Sequence, residues 1–414
     1  MIERFVAALC IAFALVSIGR IAGAQTLQDI GLSAGVQCHA HGVNDAGQVV
    51  GRCTTGTSTS VAFLALSPGS PQILPGLVAN GNCTADLITD SGMIVGNCQT
   101  AAGVGASVIW MNSAAITAPI VPSPLLGGVL ANVTAVNRQG RAVGYSIDTS
   151  NGKEPVIWST DFRTSIVLPG GGLLSFGSLN CEPTDVTDAT GAGDPTVVGV
   201  CPSAVGALAP VVWSPGALSY VAALLPLPSD ASWCTANVVN ASQQIMGNCF
   251  FPSIGVLHTV RWPNPVSAPI VLTNVNGNPF NLGVDMNAGG QIVGGYLESN
   301  GYGGAYRWDP AVGPAVALST IAGGSHTNAV AIGDNANTVG QGETASGTNH
   351  AFAWVGTTVT DLGTLGGGAN SGAAALSRSG CFAAGTSEAS GETDHAYLVA
   401  LCGPGSGARR AARQ

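Results

Sequence analysis

The chain has 414 residues, a formal net charge of −9 and charged side chains at only 8% of positions, against about a quarter in an average globular domain. Thirteen basic residues against 22 acidic ones, with no basic stripe, exclude a nucleic-acid-binding surface. Hydrophobic residues make up 46% and recur periodically, which excludes a disordered chain despite the 59 glycines.

Residues 1–24 read as an export signal. Arg4 gives the positive start, 5–18 are apolar, and Ala22, Gly23 and Ala24 place a cut before Gln25. The apolar run is too short to span a bilayer, and no later segment offers a span. The expected organisation is a signal at 1–24, one repeat domain at 25–402 and a flexible tail at 403–414, in a secreted or periplasmic monomer.

The repeat has two landmarks. A glycine closing a Val-Gly or similar pair recurs at Gly51, Gly96, Gly144, Gly199, Gly247, Gly294, Gly340 and Gly385. A tryptophan follows by 14 residues at Trp110, Trp158, Trp213, Trp308 and Trp354, and by 15 at Trp262; Ala65 and Val399 fill this slot in units 1 and 8. Unit 7 shows the pattern best, with short strands predicted over 329–333, 338–342, 350–354 and 358–365. Eight such units predict an all-β propeller of about eight four-stranded blades. Residues 26–31 match 358–363 in character, while unit 8 lacks this strand. The N-terminal strand is therefore expected to complete the last blade and close the ring.

Ten cysteines remain once Cys10 leaves with the signal. Repeated offsets from the landmark glycine place Cys38–Cys53, Cys83–Cys98 and Cys234–Cys249 across hairpins; Cys181–Cys201 is expected across the longer first hairpin of unit 4, and Cys381–Cys402 across the last hairpin of unit 8. Asn44, Asn137, Asn240 and Asn287, each seven residues before its glycine, read as turn residues. A calcium loop at Asp185, Asp188 and Asp194, or a metal on His39 and His41, is the weaker alternative, so neither cofactor nor metal is expected.

No nucleophile elbow, zinc-protease motif or phosphate loop occurs. Polar loops before the tryptophan strands vary most between units and hold the candidate binding residues Asp148, Glu154, Glu298, Tyr302 and Glu343, with Glu388, Glu392 and Asp394 as further loop acids. Trp233, Tyr302 and Tyr306 are candidates for stacking on sugars.

Residues 350–354 (His-Ala-Phe-Ala-Trp) and 361–367 (Asp-Leu-Gly-Thr-Leu-Gly-Gly) resemble the HAF-type repeats of extracellular bacterial proteins. The resemblance implies export and repetition, and brings no reaction or catalytic residue. The expected function is a secreted, non-enzymatic binding or scaffold protein for an extracellular protein or glycan. The alternative is a carbohydrate-active enzyme or lectin using the same loops.

Overall fold

A computed structural model describes residues 26–32, 36–55, 59–66, 71–169, 180–188, 193–202, 207–217, 219–298, 301, 303–390 and 393–403. The signal at 1–24, most of the tail, Tyr302 and Glu392 lie outside them.

The described residues form eight antiparallel blades of an eight-bladed β-propeller, without a helix. Blade 7 contains Thr327–Ile332, Thr338–Glu343, Asn349–Val355 and Thr358–Gly363, hydrogen-bonded in that order. The inner strands of the other blades are Gln37–Val43, Cys83–Ile88, Gly128–Val136, Glu182–Val186, the pieces Trp233–Cys234 and Val238–Val239, Asn281–Met286 and Ser371–Leu376. Blade 2 has three strands, its fourth reduced to one bridge between Ile109 and Ile120. Prolines at 119, 122 and 124 cannot donate to a ladder there.

The ring closes as the sequence predicts. Gln28–Asp29 pairs antiparallel with Thr393–Ala400, Gln28 opposite Leu398 and Asp29 opposite Tyr397. The Ile30 amide donates to Ala396 O at 3.0 Å, and the Ile30 side chain is wholly buried between blades 8 and 1.

The landmark glycine has a steric cause. In most blades the inner strand bulges opposite it, for example between Ala40 and Gly42, Ala85 and Leu87, and Ala329 and Ala331. The bulge drives a carbonyl into the space a side chain would need. A Cβ on Gly144 would stand 1.9 Å from Asn132 O, on Gly247 1.9 Å from Thr235 O, and on Gly340 1.9 Å from Asn328 O. The residue is glycine because of this approach, not for a left-handed backbone.

Eight apolar clusters fill the eight seams between blades, and the tryptophan slot anchors six of them. Those six rings are at most 4% exposed. The Trp110, Trp158, Trp213, Trp262 and Trp354 indoles donate to carbonyls in the segment arriving from the preceding blade, at 2.7–3.0 Å. Each ring is thus a packing anchor with its one polar atom satisfied.

The structure contains five disulfides, Cys38–Cys53, Cys83–Cys98, Cys181–Cys201, Cys234–Cys249 and Cys381–Cys402. Each ties strands within one blade, so none staples neighbouring blades.

Candidate functional site

Antiparallel order puts the turn after every inner strand at one end of the ring axis. The loops holding the predicted binding residues lie at the other end. At the turn end, the last residues of all eight inner strands surround one axial cavity of about 440 Å³.

The turns build its rim by one recurring device. Asn44 Oδ1 accepts from the Ala46 and Gln48 amides, which closes the turn, while its Nδ2 donates to Thr89 O of the next blade at 3.0 Å. Asn137, Asn240 and Asn287 repeat the reach, to Thr187 O, Ala288 O and Gly333 O. The asparagines, turn residues by their sequence, are also clamps between blades.

Around the ring the next position holds Asp45, Asp90, Arg138, Asp188, Ala241, Ala288, Asp334 and Arg378, and all but Asp45 line the cavity. Each of the four aspartates accepts an amide from the preceding blade: Asp90 from Asp45, Asp188 from Arg138, Asp334 from Ala288, and Asp45 from Ser379 across the closure, at 2.7–2.9 Å. Arg138 lies between Asp90 (3.3 Å) and Asp188 (3.6 Å). Arg378, on blade 8, reaches across the axis to Asp188 on the opposite blade 4 at 2.5 Å and also meets Asp334 at 3.4 Å.

Two positions before the turn, deeper in the channel, blades 4 and 6 carry Asp185 and Asp285 where the others carry Gly, Ala, Val or Leu. Asp185 accepts from the Val186 amide and from Val239 of blade 5. Asp285 accepts from Met286 and from Ile332 of blade 7. Both side chains are partly exposed to the channel, although protein surrounds them. Burial pushes Asp185 up to about 7 against the pull of its two amides, with Asp285 adding repulsion. Burial likewise raises Asp285. On the wall, His41 Nδ1 meets Asp86 Oδ1 at 3.1 Å.

The carboxylate pair Asp185 and Asp285 sets a pH dependence. An acid whose folded pKa exceeds its unfolded one contributes stability that is full below about pH 4 and is lost as pH rises through about 7. Burial lowers His39 and His258, which contribute the opposite slope as pH falls, but they are common to both proteins. Chemical denaturation of wild type and Asp185→Asn from about pH 5 to 8 is therefore expected to show wild type losing stability relative to the variant as pH rises. An unchanged difference would mean that Asp185 titrates normally.

Among the described residues, the sequence-predicted loop acids bond locally rather than with one another. Asp148 caps its own loop, accepting from the Ser150 and Gly152 amides and Ser150 Oγ, and these bonds hold its carboxyl below the usual range. Glu388 does the same for Ala369 and Asn370. Glu298 accepts from the Tyr296 hydroxyl, and Glu154 is half-buried on blade 3. Glu343 meets Ser325 Oγ and His326 Nδ1, but the serine faces that same nitrogen, so no proton relay through the imidazole results. Tyr306, a candidate for sugar stacking, is wholly buried with its hydroxyl on Thr259 at 2.6 Å and cannot serve.

The candidate metal residues separate as well. Asp194 turns away to Arg141 at 3.0 Å, leaving Asp185 and Asp188 in the channel. His39 faces Asp394 of blade 8, whereas His41 faces blade 2. Among the described residues, no three His, Cys, Asp or Glu side chains gather as a metal site, and no helix is long and apolar enough to cross a membrane.

What sequence reading missed is the axial ring. Its signal was available as aspartate or arginine recurring after the turn residue, obscured where blade 4 lengthens the turn and blade 8 adds one residue.

No family model matches the chain, and no curated protein does. Solved structures of similar shape include an acylaminoacyl peptidase bound to Z-Gly-Gly-Phe-chloromethyl ketone (10% identity, TM-score 0.47, 75% of this chain and 49% of that one). They also include the Pyrococcus horikoshii acylaminoacyl peptidase (10%, 0.47, 77% and 49%) and the BP39L lectin of Burkholderia pseudomallei (12%, 0.44, 80% and 98%). The chain spans about half the length of the two peptidases it matches.

Proposed function

We propose that the protein is an exported, non-enzymatic binding protein that holds a small extracellular ligand at the turn end of its axis. One observation carries this reading: all eight blades deliver residues to a single cavity whose lining sets six carboxylates against two guanidiniums. That balance favours a compact ligand with a cationic group and hydrogen-bond donors. Ala241 and Ala288, adjacent in the ring, leave the rim open beside Asp185 and Asp285. Export rests on residues 1–24 and on five disulfides of a kind that persists in oxidising compartments. Kinship with HAF-type repeat proteins rests on the wording of units 7 and 8.

The test is thermal melting of the mature protein with spermidine, choline or calcium chloride. At least one cation is expected to raise Tm saturably, and Asp188→Asn to abolish the rise. Melting curves unmoved by all three, or a rise untouched by Asp188→Asn, would remove the axial site from consideration.

A further inference from the structure

Trp233 is the one tryptophan outside the repeat slot. It opens the inner strand of blade 5 at the loop end of the axis, away from the axial cavity. There it lies directly opposite Phe250, the rings 5.8 Å apart and within 18° of parallel, both half-buried.

The same register position shows what the fold requires there. It holds Gln37 and Thr54 in blade 1, Asn82 and Gln99 in blade 2, His326 and Glu343 in blade 7, and Asn370 and Glu388 in blade 8, with an aliphatic pair, Leu130 and Ile147, in blade 3. Polar pairs suffice for packing in four blades, so two half-exposed aromatic rings in blade 5 are not a demand of the core. Blade 6 continues the apolar sector with Phe280 and Leu297, the latter 46% exposed.

Polar groups flank this apolar sector, and the two stretches of chain that form it carry no cation. Phe250 shares a strand face with Asn248, which brackets Gly283 of blade 6 through both its amide atoms. The pair therefore borders the loop end of blade 6, where Tyr296 donates to Glu298 and also meets Asn276. Neither residues 230–258 nor residues 276–301 contain a lysine or arginine.

We propose that Trp233 and Phe250 form a binding platform for a carbohydrate. A gluco-configured pyranose presents a flat face of C–H bonds and a rim of hydroxyls. The first suits near-parallel aromatic faces, and the second suits flanking amide and carboxylate acceptors. A protein hot spot is commonly built with arginine beside the aromatic rings, and these two stretches contain none. The platform is independent of the axial ligand and stands or falls separately.

Cellotetraose, chitotetraose and mannotetraose provide the probes, titrated into the mature protein and followed by tryptophan emission and acrylamide quenching. The six slot tryptophans are buried, so quenching reports Trp233. Cellotetraose or chitotetraose is expected to protect it saturably. Replacing the pair by that of blade 1, Trp233→Gln with Phe250→Thr, keeps a pairing this fold accepts and is expected to weaken binding at least about tenfold by calorimetry. No saturable sugar, or sugar binding retained by the folded double variant, would overturn the platform, as would capture of a protein at this face in place of any sugar.

Discussion

Replacing Gly144 by alanine is expected to cost on the order of 4 kcal/mol, while Gly105→Ala in the neighbouring blade 2 stays within about 0.5 kcal/mol. Both glycines are free of left-handed backbone, so the contrast isolates space. The new methyl at 144 would sit 1.9 Å from Asn132 O, a backbone atom fixed by the bulge, whereas a methyl at 105 meets nothing within 4 Å. Relief at 144 would require the inner strand to move, and with it the position facing the axis. Gly247→Ala and Gly340→Ala, with the same 1.9 Å approach, should behave alike. Urea denaturation of the three variants and the Gly105 control measures the difference; equal stability would refute the steric origin of the repeat glycine.

Removal of residues 25–31 from the mature protein is the second large effect expected. Blade 8 would keep three strands, and the cavity occupied by Ile30 would open. Burial of that side chain is worth about 2 kcal/mol, and the pairing with 393–400 adds hydrogen bonds, for a loss on the order of 4 kcal/mol. The truncated protein would also lose the His395 Nδ1–Asp29 contact at 2.9 Å and expose an unpaired edge. Denaturation with size-exclusion chromatography should show a weakened protein prone to self-association. An unchanged, monodisperse protein would mean that the N-terminal strand is dispensable.

The fold was legible because its constraints are local. A glycine under a bulged carbonyl and a tryptophan at the seam recur at fixed spacing, since each blade solves the same packing problem. His350 and His395 stand four residues before Trp354 and Val399 in equivalent strands, and both grip an aspartate on the adjoining strand, Asp361 and Asp29, at 2.9 Å. The axial site was not legible, because it exists only once the ring closes. Asp188 and Arg378 are 190 residues apart and meet across the axis. Nothing in either neighbourhood announces the other. The loop acids misled for the converse reason: Asp148 and Glu388 are conspicuous in sequence, yet the oxygens of Asp148 cap its own turn and those of Glu388 hold the amides of Ala369 and Asn370 in the segment entering the same blade.

Closure of the ring through Gln28–Asp29 underlies both the axial cavity and the arrangement of the loops. Its most direct test is a Gln28→Cys, Leu398→Cys variant, since the two residues lie directly opposite in the register. Non-reducing peptide mapping is expected to find one intramolecular bridge between positions 28 and 398, with the five native pairs unchanged. Free thiols at these positions, or a bridge formed between two molecules, would contradict closure and with it the axial site.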